Sequence, residues 1–309
     1  MKMEDCPLVS VIINCYNSEK YLKETIDSVL AQTYSHYEVI FWDNCSTDST
    51  ADIIHSYNDV RFRYFKASNN SKLGLARNYA IDKVQGKYFG FLDSDDIWLP
   101  DFLETCVTKM EEGGKSYSAV YTNYYDWNDN QCYIHIKDAC GGEKHLKEII
   151  SNYKVGMSAN LISSKIVQQN RILFDENLQL IEDFDFFCRL AATAPLCYIP
   201  EGLVKYRVHS DSMSFKNIEG WAEEYDCIYK LYKRRFVDRE LIKEEDLTDI
   251  KRHYQYYQLE NLMKQGRKWS IFMFLLRSPF LSFKAWTRLL YVIGGNKLYD
   301  SVKSIKIHG

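Results

Sequence analysis

Lys87-Tyr88-Phe89-Gly90-Phe91-Leu92-Asp93-Ser94-Asp95-Asp96 is the stretch on which the fold turns. It opens as an apolar, aromatic run of strand length and ends with three carboxylates within four residues. A short apolar run bounded by a polar cluster reads as a strand buried on both faces. Three adjacent like charges repel one another, so such a cluster persists most easily where a divalent cation neutralises it. Hard carboxylate oxygens suit Mg²⁺ or Mn²⁺, which also bind phosphate. The competing reading is a solvated turn in which Asp96 caps the next helix, predicted over Pro100–Met110 with proline near its first turn.

Upstream, the same grammar repeats. Leu8–Asn14 and Tyr37–Trp42 are β-branched or aromatic runs that read as buried strands, and Arg61–Phe65 is a third. Helical spacing lies between them at Glu19–Gln32, with Ser18 as a candidate N-cap, then at Thr50–Tyr57 and Leu73–Val84. Buried strands alternating with helices predict βαβ units and a mostly parallel sheet. In such a sheet ligands bind at the carboxyl ends of the strands. The polar segments Asn14–Asn17, Asp43–Ser46 and Asp93–Asp96 each follow a predicted strand, so they are expected to converge on one edge.

Downstream the pattern loosens. Tyr117–Tyr125, Cys132–Ile136, Ser158–Ser163 and Leu203–His209 read as strands, and Phe184–Ala192 as a helix opened by Glu182-Asp183. Acids favour helix N-termini, so Glu182 and Asp183 have a ready capping explanation, and Asp185 and Arg189 form an ordinary i,i+4 pair. Beyond about Asn217 the chain reads as helices, Trp221–Phe236 and Leu247–Lys264. No internal repeat or low-complexity stretch is seen.

Charge is unevenly placed. The 309 residues carry a net charge of −3, yet residues 262–309 hold nine Lys/Arg and one acid, Asp300. The remainder therefore holds 30 basic and 41 acidic residues, a net −11. Trp269, Phe272, Phe274, Phe280, Phe283, Trp286 and Tyr291 are interleaved with the basic residues of that tail. A basic aromatic tail on an acidic body points to an anionic membrane surface through 262–309, with a helical cap or dimer contact as the alternative. It argues against nucleic acid, for which no recognition motif appears. The nine cysteines include no C-x-x-C pair, which disfavours a zinc site. Their odd number and apolar settings suit free thiols in a reducing cytosol. Met1–Asp5 is polar and Leu8–Ile13 is too short for a signal peptide. The apolar region Trp269–Ile293 is interrupted by Arg277, Pro279, Lys284 and Arg288, which disfavours a span.

Five segments in consistent order carry a resemblance. They are Val9-Ser10-Val11-Ile12-Ile13-Asn14-Cys15-Tyr16-Asn17, Ser28–Tyr34, Asp43-Asn44-Cys45-Ser46-Thr47-Asp48, Gly74-Leu75-Ala76-Arg77-Asn78 and Gly86–Pro100. With Glu182–Leu190, the chain resembles the inverting family 2 glycosyltransferases of GT-A fold, of bacterial surface-glycan type. The resemblance spans residues 7–105 most clearly and extends more weakly to about 212.

The resemblance implies an α/β, Rossmann-like catalytic domain over residues 1–215, followed by a helical extension over 216–309. It implies Asp95 as metal ligand, with Asp93 and His209 beside it, for Mn²⁺ or Mg²⁺. Tyr16, Asn17, Asp43, Asn44, Arg77, Asp93 and Ser94 would contact the nucleotide, Arg77 facing the diphosphate. Asp183, next to Glu182, would be the base of an inverting transfer. The donor would be a UDP-sugar carrying a hexose or N-acetylhexosamine, with dTDP- or GDP-sugars as alternatives. The acceptor would be a lipid-linked or lipopolysaccharide glycan, and the enzyme peripheral on the cytoplasmic face of the membrane. Two rivals are a sugar-1-phosphate nucleotidylyltransferase and a nucleotide-sugar-binding protein without transfer activity. The first needs a glycine- and arginine-rich phosphate loop where this chain has Cys15-Tyr16-Asn17-Ser18. The second would typically have lost an acidic motif, and both persist here.

Overall fold

The computed structural model describes residues 6–112, 116–128, 131–136, 140–209 and 220–277. The chain divides into two compact units, Met1–Ser212 and Met213–Gly309. The expected boundary at 215/216 falls outside the described residues, as do Phe280, Phe283, Trp286 and Tyr291 of the tail.

The first unit is built on one ten-stranded sheet. Its opening half is the predicted βαβ series: β1 (Val9–Cys15), α1 (Leu22–Leu30), β2 (Tyr37–Asp43), α2 (Thr50–Ser56), β3 (Phe62–Lys66), α3 (Leu73–Ile81) and β4 (Tyr88–Phe91). These four strands lie in the order β3-β2-β1-β4, all parallel. Every residue of β2 and β4 is buried, which is why they read as continuous apolar runs without alternation.

Beyond β4 the sheet turns mixed. It continues through β5 (Ile97–Trp98), α4 (Phe102–Glu111), β6 (Ala119–Asn128), β7 (Gln131–Ile134), β8 (Gly142–Lys144), α5 (Leu146–Ser151), β9 (Asn160–Ser163), α6 (Ser164–Asn170), α7 (Glu182–Ala191) and β10 (Leu196–Arg207). The strand order is β4-β9-β6-β10-β5, and β9 runs antiparallel to both β4 and β6. Gly90 makes the β4–β9 approach possible. A Cβ there would lie 2.7 Å from the Asn160 carbonyl oxygen and 3.5 Å from the Trp98 ring. Parallel order therefore holds for the half that the sequence reads clearly, and gives way where the motifs thin out.

The helices pack the sheet into a core that includes Val11, Ile13, Leu22, Ile26, Phe41, Trp98 and Phe102. Ser18 does not cap α1 with its side chain. The helix starts at Leu22, and the Ser18 carbonyl instead accepts from the backbone N–H groups of Tyr21 and Leu22.

The second unit contains α8 (Trp221–Tyr232), a single widened turn at Lys233–Val237, a short 3₁₀ turn at Glu244–Leu247, α9 (Thr248–Lys264) and α10 (Lys268–Arg277). Rings of α8 and α9 stack on one another, with Trp221 and Tyr257 at 5.2 Å and Tyr225 and His253 at 5.1 Å. Leu259 and Met263 of α9 form a small core with Ile271 and Leu275 of α10. Among the described residues no helix is long and apolar enough to cross a membrane.

Candidate active site

The loops after β1, β2 and β4 meet, and polar side chains stitch them together. Asn17 donates its N–H to Ser46 Oγ at 3.0 Å, and its side-chain oxygen accepts the Thr47 N–H at 2.9 Å. The Ser18 N–H reaches Thr50 Oγ1 at 2.8 Å. The Ser18 and Ser94 hydroxyls lie 2.8 Å apart, tying the first loop to the acidic turn. Asn17 (φ 50°) and Cys45 (φ 73°) both take the left-handed backbone conformation, at the apices of these two loops. Above them the Tyr16 ring stands 55% exposed, an open aromatic surface at the carboxyl end of β1.

Asp43 and Asn44 lie lower than their expected role suggests. Asp43 is fully buried, and its two oxygens accept the Ser46 N–H at 2.7 Å and the Tyr64 hydroxyl at 2.6 Å. Asn44 is buried too. Its amide clasps Ser71, donating to the Ser71 carbonyl at 2.7 Å and accepting from its hydroxyl at 2.9 Å. Both residues shape the loops that border the site, and neither side chain opens onto it here.

The three carboxylates of the acidic turn separate into distinct roles. Asp96 is fully buried and caps no helix. It accepts the Arg207 N–H at 2.8 Å and the Ser158 hydroxyl at 2.5 Å, and burial together with Asp93 and Asp95 pushes its carboxyl well above the ordinary range. Asp93 and Asp95 face outward and are about one-third exposed. Burial in the pocket raises the Asp93 carboxyl, Arg77 pulls it down, and Asp95 and Asp183 push it up again. Asp95 Oδ2 lies 2.9 Å from His209 Nε2.

Arg77 is the hub between the two halves of the sheet. Its guanidinium is buried, donates to Glu182 Oε1 at 2.9 Å and stands 3.5 Å from Asp93 Oδ1. It also lies over the rings of Phe174 and Phe91. Its Nε has no hydrogen-bond partner, and neither does the buried side-chain amide of Asn14 near the end of β1. Glu182 is paired with Arg77 inside the protein, while the neighbouring Asp183 is partly exposed. Asp183 accepts the Tyr153 hydroxyl at 3.0 Å and the Phe184 N–H at 2.7 Å. Burial raises its carboxyl above the ordinary range, against the pull of Arg77 and these two donors. Asp93, Asp95, His209, Arg77 and the pair Glu182–Asp183 are thus linked through direct contacts and through Arg77, whereas Asp43 and Asn44 turn into their own loops.

Three further residues complete the cleft and were not legible. Arg207, near the end of β10, is held between the rings of Tyr21 and Trp127 at 4.2 Å each. It donates to the Asp95 carbonyl at 2.8 Å and to Glu24 at 2.7 Å, clamping the acidic turn from behind. Ser158 accepts the Asp93 N–H at 3.0 Å. Tyr153 lies edge-on to Phe184 at 5.2 Å and holds Asp183. Only a companion arginine two residues before the noticed His209 offered a sequence signal; the rest depends on contacts between distant segments.

The arrangement sets two partly exposed carboxylates, Asp93 and Asp95, near a buried arginine that also pairs with Glu182, next to the raised carboxyl of Asp183. A parallel half-sheet with these loops at its carboxyl edge, extended by a mixed half, is the architecture of a GT-A nucleotide-sugar enzyme. The family model described as glycosyl transferase family 2 matches residues 10–173. A Bacillus subtilis protein, TuaG, whose name gives it a provisional role as a teichuronic acid biosynthesis glycosyltransferase, is 33% identical over 67% of this chain and 82% of its own length. Glycosyltransferase GlyG of Streptococcus pneumoniae is 26% identical over 82% of this chain and 90% of its own length. An uncharacterised glycosyltransferase of Rickettsia felis is 32% identical over 78% of this chain, which spans 40% of that protein's length. S. aureus TarS residues 1–349, solved in complex with UDP-GlcNAc, superposes with a TM-score of 0.64 at 21% identity, over 82% of this chain and 72% of that one. The Pyrobaculum calidifontis mannosyltransferase PcManGT, solved with GDP-Man and Mn²⁺, gives a TM-score of 0.59 at 14% identity, over 96% and 83%. The chain belongs to glycosyl transferase family 2, a family of transferase enzymes.

Proposed function

We propose that this protein is an inverting glycosyltransferase. It moves a hexose or N-acetylhexosamine from a UDP-sugar to a hydroxyl of a lipid-linked or lipopolysaccharide glycan, at the cytoplasmic face of an anionic membrane reached through residues 262–309. The observation that carries the reading is Arg77, which joins Asp93 at the donor edge to Glu182 beside Asp183. This link between the two acidic segments supports reading them as parts of one site.

Asp183 takes the proton of the acceptor hydroxyl as that oxygen attacks the anomeric carbon. The bond from that carbon to the diphosphate oxygen breaks on the opposite face, and its electron pair leaves with the nucleotide diphosphate. One carboxylate suffices, and no covalent intermediate is needed. Glu182 is a positioning residue, because its charge is committed to Arg77. Tyr16 offers its exposed ring to the base, and the loops pinned by Asn17, Ser94, Asp43 and Asn44 border the nucleotide.

The donor set fits Mn²⁺ or Mg²⁺. Among the described residues no three potential ligands form a ready cage. That suits ions held through one or two carboxylates plus substrate phosphates. Asp95 would hold the ion, with His209 and Asp93 as further candidates; His209 Nε2 lies 2.9 Å from Asp95 Oδ2, and its buried Nδ1 has no hydrogen-bond partner. A bound divalent ion would stabilise the charge growing on the leaving diphosphate.

The UDP assignment is supported by the UDP-GlcNAc held by TarS. The GDP-Man held by PcManGT keeps a GDP-sugar as the second reading. Thermal-shift titration with UDP, dTDP, GDP and CMP, each with Mn²⁺ or EDTA, tests both. UDP with Mn²⁺ is expected to raise the melting temperature of wild type and to lose that effect in Asp95→Ala. A response to GDP alone replaces the donor, and no response to any nucleotide overturns the donor site.

A further inference from the structure

Helix α10 is apolar around most of its circumference, and its two faces have different fates. Ile271 and Leu275, one turn apart, are buried against Leu259 and Met263 of α9. Trp269 and Met273 have the same i,i+4 spacing on another face, and they are 76% and 40% exposed. Phe272 stacks on Trp269 at 5.6 Å and extends this outward stripe. A helix that is apolar on both sides normally buries both. Among the described residues α10 buries one, and Trp269, Met273, Leu262 and Phe274 line an open groove.

Charge identifies the occupant. From Asn261 to Arg277 there are four cations, Lys264, Arg267, Lys268 and Arg277, and no acid. Residues 1–261 carry the chain's net negative charge of −11, which an anionic surface repels. The basic segment is the part of the chain whose charge such a surface attracts. Cations at both ends of an exposed Trp-Phe-Met stripe match a boundary at which phosphates lie over acyl chains. Tryptophan favours that depth because its ring is both apolar and polar. The ten described residues of the helix span about 15 Å, half of a bilayer's hydrocarbon core, a length suited to lying in the interface plane.

We propose that the outward stripe of α10 is a membrane-docking face. It lies flat on an anionic phospholipid bilayer, with Trp269, Phe272 and Met273 at the headgroup–acyl boundary and Lys264, Arg267 and Arg277 on lipid phosphates. This deepens the functional reading above, on which the placement of a lipid-linked acceptor rests, and adds the surface and mode of attachment.

The test is co-flotation of the full-length chain with vesicles of phosphatidylcholine alone, or of phosphatidylcholine mixed with phosphatidylglycerol. Binding is expected only to the anionic vesicles and is expected to weaken with salt, which screens the attraction of the surface cations. Trp269→Ser with Met273→Ser should lower partitioning at least about tenfold, because it removes the apolar surface that would enter the bilayer. Lys264→Glu with Arg267→Glu should abolish it. Circular dichroism and the nucleotide thermal shift should be unchanged in both variants. Three outcomes overturn the proposal: flotation with neutral vesicles alone, unchanged flotation of the variants, or a wild-type dimer that Trp269→Ser dissociates, which would make the stripe a contact between copies. Vesicle binding without any nucleotide response would instead sink the donor-site reading and leave the docking face standing.

Discussion

The proposed donor edge and the proposed base are held in different ways. At the donor edge, three short loops each follow a parallel strand, and the residues that bind them together, Asn17, Ser18, Ser46 and Ser94, lie inside contiguous motifs. Asp183 is held instead by Tyr153, and the acidic turn is clamped from behind by Arg207, and neither partner lies in such a motif. Both sets are tertiary contacts, but only the first joins residues that the sequence marks. The carboxylates divide as well. Asp43 and Asp96 are buried and hydrogen-bonded, Glu182 is paired with Arg77, and Asp93, Asp95 and Asp183 stay partly exposed.

That contrast is sharpest at the adjacent pair Glu182 and Asp183. Asp183→Asn removes the proposed base and leaves Arg77, Glu182 and the loops after β1, β2 and β4 in place. Transfer is expected to fall by about 10²–10⁴-fold in kcat, the usual contribution of a general base. Nucleotide affinity, measured by calorimetry, should stay within about twofold of wild type, a change of only about 0.4 kcal/mol. A variant that keeps wild-type turnover would remove Asp183 from the chemistry.

Arg77→Met breaks the joint between the two sides. It removes the cation that pairs with the buried Glu182 carboxylate, and losing one member of a buried ion pair costs about 3–5 kcal/mol. The loss should appear as a lower midpoint in urea unfolding. Arg77→Met combined with Glu182→Leu should recover much of it, because the buried charge is gone. If the double variant is no more stable than the single one, Glu182 is not the group that Arg77 neutralises.

The sequence shows the βαβ half of the sheet because β1, β2 and β4 are buried on both faces and their loops carry the polar residues. Each signal fits within a window of ten residues. The antiparallel β9, the two-residue β5 and the length of β10 were not visible. A register set by Gly90 against Asn160 is a fact about two segments seventy residues apart. The site follows the same rule. Asp93, Asp95, Asp183 and Arg77 were legible as types in motifs, whereas the burial of Asp43 and Asn44 was not. Nothing in Asp43-Asn44 announces that Tyr64 and Ser71 will claim their side chains. A carboxylate after a strand can open to a ligand or close on its own loop, and only the partner's position decides.

Tyr153→Phe probes the smallest of these long-range contacts and is the most discriminating for the acceptor side. The raised Asp183 carboxyl already predicts that the acid limb of kcat/KM lies above the ordinary carboxylate value near 4. A base works deprotonated, so activity is lost as pH falls through that raised value. By linkage the same shift opposes the fold: the carboxyl favours the folded state below its unfolded pKa, and that contribution is lost as pH rises through the folded one. The Tyr153 hydroxyl donates to Asp183 Oδ2 and favours its charged form. Removing it should move the acid limb upward by about one pH unit, the equivalent of about 1.4 kcal/mol and in line with a hydrogen bond to a charged group. Well above the new limb, turnover should approach the wild-type rate, and KM for the donor should not change. The groups facing Asp183 from other elements, Arg77 on α3 and Asp93 after β4, are untouched by the substitution, so the displacement reports on Tyr153 alone. An acid limb that stays in place while kcat falls at every pH would mean that the phenol orients the acceptor and leaves the base unaffected.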